Sequence, residues 1–145
     1  MATTVLVDDR LLIEEILVGL RRSRRQLVLH TTTTWWYRAC RAAVVGAGGH
    51  LSGPFEQVEA AHQEQAILAL LDLPPEVGLP DPRLTVPAMA RLAASHPKLN
   101  LLNLEAAAAA LTLSAEVWLS EPAARGVLPD VLAGEGVRWR AVPVA

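Results

Sequence analysis

Residues 4–7 form a short apolar run of β type that stops at Asp8 and Asp9. A helical spacing follows at once: Leu11, Leu12, Ile16 and Leu20 recur on one face, and Ile13 and Leu17 widen it. Residues 26–30, QLVLH, predict a second strand. The threonines at 31–34 supply N-cap candidates for a helix over 35–45, which stops at Gly46, Gly48 and Gly49. Strand, helix, strand, helix with short links predicts a parallel sheet with helices on its faces.

Further along, Ser52-Gly53-Pro54 predicts the start of a helix running through 55–71, with Pro54 at its first position. Four prolines, Pro74, Pro75, Pro80 and Pro82, make 73–82 a loop or a partly extended crossover within one domain. A short helix is expected over 85–95, ending before Pro97. The stretch 101–122, LLNLEAAAAALTLSAEVWLSEP, then places Glu105 at the start of an alanine-rich helix and Val117-Trp118-Leu119 in a buried strand ending at Ser120 and Glu121. Alanine is the strongest helix former, and its small side chain lets a helix sit close to the next layer. An acid in a helix's first turn suits the dipole, and polar groups ending a buried strand face the edge where open α/β sheets bind ligands. Pro122 predicts the start of a helix over 123–133, ended by Gly134 and Gly136. Residues 137–144 alternate as a last strand, and Pro143 marks it as an edge.

Composition narrows the class. The chain has 145 residues, 52% hydrophobic and 19% charged, which fits one globular domain over 1–145. The single Cys40 excludes an intramolecular disulfide and a cysteine zinc site; an inert buried thiol is expected. MATTVLVDD lacks the basic start of a signal peptide, and no apolar run reaches a membrane span, so a cytoplasmic protein without membrane attachment is expected. The net charge of −2 conceals an asymmetry. Residues 1–50 hold seven Arg against four Asp and Glu, a balance of +3, whereas 51–145 hold six Lys and Arg against eleven acids, a balance of −5. Arg21, Arg22, Arg24 and Arg25 crowd one segment, either touching a phosphate backbone or forming a solvated helix end. His30, His50, His62 and His96 are scattered, and His62 is expected in solvent. Trp35, Trp36 and Tyr37 form the one aromatic cluster, open to base stacking, a partner surface or core packing.

The order VLVDDRLLI, LNLEAAAAAL, VWLSEPAARGVL, GVRWRAVPV, with the Pro-rich link between, resembles the PIN-domain family, the fold of many toxin ribonucleases of toxin–antitoxin operons. The resemblance spans nearly the whole chain and implies a three-layer α/β/α domain with a central, mostly parallel sheet. It implies a metal-dependent endoribonuclease that holds Mg²⁺ or Mn²⁺ on clustered acids, a cognate antitoxin protein, RNA as substrate and a homodimer. Hard cations of this kind want carboxylate oxygens and keep several waters. Carried over, Asp8 matches the first acid, Glu105 the acid before the alanine helix, and Ser120 the hydroxyl residue ending the strand. Glu121 stands beside Pro122, where the family has its next acid. The family's second acid falls in TTTTWWYRACRA, which has none; Tyr37, Arg38 and Arg41 occupy that neighbourhood. Asp9 and Glu14 are candidate stand-ins as ligands. An arginine there either neutralises the Asp8 acid pair or faces phosphate. The site is therefore expected to comprise Asp8 and Glu105 as metal ligands, Ser120 and Glu121 beside them, and Arg38 and Arg41 toward nucleic acid. A PIN-like module without catalysis, binding protein or nucleic acid through its Arg- and Trp-rich first half, is the alternative.

Overall fold

Alternating Val5, Leu6 and Val7 place apolar side chains on both faces of strand β1 (Thr3–Val7), and all three are fully buried. A strand covered on both sides belongs in the middle of a parallel sheet. The computed structural model, which describes residues 2–19, 26–46 and 49–144, puts it there. The four-stranded sheet has the order β2-β1-β3-β4, with β2 at Leu27–His30, β3 at Glu116–Leu119 and β4 at Trp139–Ala141. Every pairing is parallel; Leu6 stands opposite His30 in β2 and Val117 in β3, and Trp118 stands opposite Arg140 in β4.

Helices cover both faces, completing three layers. On one face, Val5, Val7, Leu29 and Trp118 pack with α1 (Asp9–Val18), α2 (Thr33–Val45), α3 (Gly49–Glu56) and α4 (Ala60–Leu71). On the other, Leu6, Val117 and Leu119 pack with α5 (Pro82–Ser95), α6 (Leu101–Leu113) and α8 (Leu128–Gly134). Helix α7 (Glu121–Ala124) follows β3 directly. All five alanines of 106–110 are buried, at most 1% exposed, because α6 touches α5, α8, α2 and β1. A bulkier residue at any of these five would meet a close neighbour. No helix among the described residues is long and apolar enough to cross a membrane.

Several elements differ from their sequence expectation. Helix α6 begins at Leu101, capped by Asn100, whose Oδ1 accepts from the N–H of Asn103 at 2.9 Å. Glu105 therefore lies in the second turn and does not open the helix. The helix expected over 55–71 is two helices, and Pro54 sits inside the first, which runs only two residues past it. Helix α5 starts three residues early because Pro82, fixed near helical φ, takes the first turn behind an Asp81 cap. The helix expected over 123–133 is likewise split, with Gly126 in the break between α7 and α8. Strand β4 is only three residues long: Val142 N–H still donates to Leu119, and Pro143 has no donor with which to continue. Leu20, Gly48 and the arginines at 21, 22, 24 and 25 lie outside the described residues.

The Pro-rich link has a structural task. Gly78 donates to Leu29 at 2.8 Å and accepts from Thr31 at 3.1 Å, closing the outer edge of β2 with an isolated parallel bridge. A Cβ at Gly78 would lie 2.4 Å from His30 Nε2, so only glycine allows the approach with that ring in place.

Candidate functional site

Because all four strands are parallel, their carboxyl ends lie along one edge, and Asp8, Thr31 and Ser120 follow the last residues of the three inner and left-hand strands. Asp8 has extended backbone and caps α1, its Oδ1 accepting from the N–H of Leu11 at 2.9 Å. Its Oδ2 accepts twice from Ser120, from the backbone N–H at 2.9 Å and from the hydroxyl at 2.6 Å. Both residues are buried, so the end of β1 is bonded to the end of β3 away from water. Burial pushes the Asp8 carboxyl above the usual carboxylate range, with neighbouring Asp9 adding to it; the bonds from Ser120 and Leu11 pull the other way.

The end of β2 is tied into the same edge. The Thr31 hydroxyl donates to the Val7 carbonyl at 2.9 Å, and Thr32 caps α2 by accepting from Trp35 at 3.0 Å. Glu105 reaches this helix start from α6: its Oε1 accepts from the N–H of Thr34 at 3.0 Å. An anion there suits both the free amides and the dipole of α2. The carboxylates of Asp8 and Glu105 thus flank the starts of two neighbouring helices, α1 and α2.

Asp9, the first residue of α1, turns a different way from Asp8. Its Oδ1 accepts from the N–H of Arg10 and its Oδ2 from Arg38 Nε, both at 2.8 Å. An arginine does sit beside the acid pair, then, but it binds Asp9 and not Asp8. Glu14 is held by Arg10 Nη1 at 2.7 Å along α1, which engages it away from Asp8. Glu121 opens α7 immediately after Ser120, yet its side chain is 58% exposed and lies 3.5 Å from Arg125. Arg41 is exposed on α2 beyond Arg38.

Among the described residues no group of three or more His, Cys, Asp or Glu is placed to hold a metal ion. The donor set is two carboxylates. Asp8 Oδ1 accepts a single bond and Glu105 Oε2 none among the bonds described, so each retains an oxygen lone pair. Two carboxylates do not make an all-protein cage for a hard cation, which takes about six or more oxygen ligands.

The members of the aromatic cluster and the other singled-out residues take different environments. Trp35 is buried in the core on the α5–α6 side; Trp36 donates from Nε1 to the Leu70 carbonyl at 2.8 Å; Tyr37 is 62% exposed. Cys40 is half-buried, its thiol 3.6 Å from the same carbonyl and its pKa raised by burial. His62 is not free in solvent: its Nε2 lies 3.1 Å from the Leu17 carbonyl. A cleft of about 840 Å³ opens at the opposite, amino edge of the sheet, lined by Thr3, Glu116, Trp118, Arg138 and Arg140. Arg140 spans it, 2.9 Å from Glu116 and 4.8 Å above the Trp118 ring. Burial opposes ionisation of Glu116, but bonds from Trp118 and Arg140 outweigh it and hold that carboxyl below its usual range. Asp8 and Glu105 lie at the carboxyl edge and do not line this cleft.

The sequence pointed to an arginine beside the acid pair, but not to Asp9 as the acid that Arg38 binds. The doublet at 8 and 9 was a signal for it: one acid caps a helix, and the next, rotated by about 100° on the helix, must find another partner.

No family model matches this chain, and no curated protein matches it. Among solved structures, a chain of the 2.2 Å structure of VapBC-1 from nontypeable Haemophilus influenzae matches with a TM-score of 0.57 at 14% identity, covering 96% of this chain and 98% of that one. At that identity the likeness is one of fold, and it extends over nearly the whole of both chains.

Proposed function

We propose that this chain is a PIN-like, metal-dependent endoribonuclease, the toxin half of a toxin–antitoxin pair. The observation that carries the reading is the Asp8–Ser120 junction at the carboxyl edge with Glu105 on the neighbouring helix start. Asp8 and Glu105 hold Mg²⁺ or Mn²⁺, which when bound supplies a more acidic water and charge stabilisation at a phosphodiester. Ser120 fixes the Asp8 carboxylate, so that its other oxygen stays aimed. Glu121, one residue on, stands in solvent at the start of α7, where a substrate passes. Arg38 and Arg41 present positive charge to the RNA backbone. The fold shared with a VapBC-1 chain supports an antitoxin partner, and the sequence resemblance to PIN toxins adds a homodimer and a cytoplasmic setting to the reading.

Titration calorimetry with Mn²⁺ on the wild type and on Asp8→Asn, alongside cleavage of a labelled RNA, tests this. Binding and cleavage by the wild type, both lost in Asp8→Asn, are expected. Equal absence of metal binding in both proteins sinks the enzyme reading. A second reading then stands, that of a non-catalytic PIN-like module binding protein or nucleic acid. It is favoured by one observation: the helix after β2 contributes an arginine to this edge and no acid.

A further inference from the structure

Arg38 stands beside the candidate site, and its one bond to Asp9 uses only part of it. Its Nε donates to Asp9 Oδ2 at 2.8 Å, while its two terminal nitrogens have no protein partner among the described residues. The Arg38 side chain is 50% exposed and that of Asp9 only 9%. The carboxylate is itself fixed, because its other oxygen accepts from the Arg10 N–H at 2.8 Å. A buried, twice-bonded acid therefore grips the inner edge of a guanidinium and leaves its outer fork in water. That fork carries the paired donors that match a phosphate.

We infer that Asp9 is a positioning residue that holds Arg38 as a clamp for a backbone phosphate of single-stranded RNA at this edge. The inference rests on the RNA-binding part of the proposed function and deepens it. Two negative charges, on Asp8 and Asp9, sit beside the path of a polyanion. Plain electrostatics makes Asp9 a repeller of RNA. Its geometric role makes it a promoter, because an unanchored arginine loses rotamer freedom on each contact that a held one has already given up. The sign of the effect on removing the Asp9 charge separates the two.

Binding is measured by fluorescence anisotropy with a labelled, unstructured single-stranded RNA in EDTA, over a range of salt. Arg38→Gln is expected to bind about tenfold more weakly and to lose about 0.7 from the log–log salt slope, the loss for one phosphate contact on a single strand. Asp9→Asn is expected to bind about threefold more weakly with a shallower slope as well, although it removes a negative charge. Arg38→Lys keeps the charge without the fork and is expected to stay weaker than the wild type. Arg138→Gln, at the far edge of the sheet, controls for loss of net charge. Urea midpoints show which variants are folded; a fold defect leaves the salt slope of the folded fraction unchanged. Tighter or equal binding by a folded Asp9→Asn overturns the inference, as does full affinity in Arg38→Lys. Wild type that cleaves RNA with Mn²⁺ but does not bind it in EDTA overturns the clamp and leaves the nuclease standing. Binding with the expected variant order but no cleavage does the reverse.

Discussion

Ser120 reaches Asp8 across 112 residues of sequence with two donors on one oxygen, its N–H at 2.9 Å and its hydroxyl at 2.6 Å. The pair joins two adjacent strands at their carboxyl ends and is shut off from water. A short bond from a hydroxyl to a buried carboxylate is of the stronger, charge-assisted kind. Ser120→Ala removes the hydroxyl bond and keeps the amide one. It is expected to cost about 1.5–3 kcal/mol of stability. Urea unfolding should show a lowered midpoint with an unchanged slope. The metal affinity of the variant should fall too, because Asp8 loses a bond that favours its charged form. An unchanged midpoint means that water replaces the hydroxyl and that the junction is weaker than its geometry suggests.

The Asp8 carboxyl also predicts a pH dependence. Burial, then Asp9, raises its pKa above the ordinary 3.8 in the folded chain. Between the ordinary and the raised value the folded protein binds the proton more tightly than the unfolded one does. Stability from this group is therefore full at low pH and is lost as pH climbs through that window. Asp8→Asn has no such proton. The stability difference between wild type and variant, followed by urea unfolding from acid toward neutral pH, should shift against the wild type as pH rises. A difference that is flat in pH contradicts the raised pKa.

Gly78→Ala is expected to destabilise by about 1–3 kcal/mol. The new Cβ meets Nε2 of His30 at 2.4 Å and Cδ2 at 2.5 Å, so the ring must leave its place. Its Nδ1 is buried with no hydrogen bond of good geometry among the described residues. His30→Ala should accordingly remove most of the cost in the double variant. A double-mutant cycle by thermal or urea unfolding checks the coupling, and additive effects would mean that the bridge of Gly78 to β2, rather than the ring, is what the alanine disturbs.

These three positions differ in how far the sequence disclosed them. Asp8 and Ser120 were legible because each ends an apolar run of β type, and two parallel strands must bring their ends to one edge. The layers were legible for the same reason: strand and helix periods alternate cleanly on both sides of the Pro-rich link. Local competition hid the rest. Asn100 caps α6 better than the acid four residues inside it, so the helix gains a turn and Glu105 moves from the helix start to a bond with Thr34. Pro82 reads as a breaker in a run of prolines and acts as a helix opener behind Asp81. The contact between His30 and Gly78 leaves no trace in periodicity, because a missing Cβ matters only once the fold has chosen its neighbour.

Glu105 allows structure and metal binding to be separated by two substitutions at one position. Its Oε1 accepts from the Thr34 N–H at the start of α2. Glu105→Gln keeps an oxygen acceptor of the same reach and removes the charge, so its stability cost should be small, about 0.5 kcal/mol, the dipole share of the interaction. Glu105→Ala leaves the Thr34 amide without its protein acceptor and should cost about 1 kcal/mol or somewhat more. Stability should therefore rank wild type, then Gln, then Ala. Metal affinity should not follow that ranking. A neutral amide oxygen is a poor replacement for a carboxylate at a hard cation with few protein ligands, so Mn²⁺ binding should drop alike in both variants. Calorimetry and unfolding on the same three proteins give both orders. If Glu105→Gln binds Mn²⁺ as the wild type does, Glu105 is a cap for α2 and the metal, where one binds, is held by other groups.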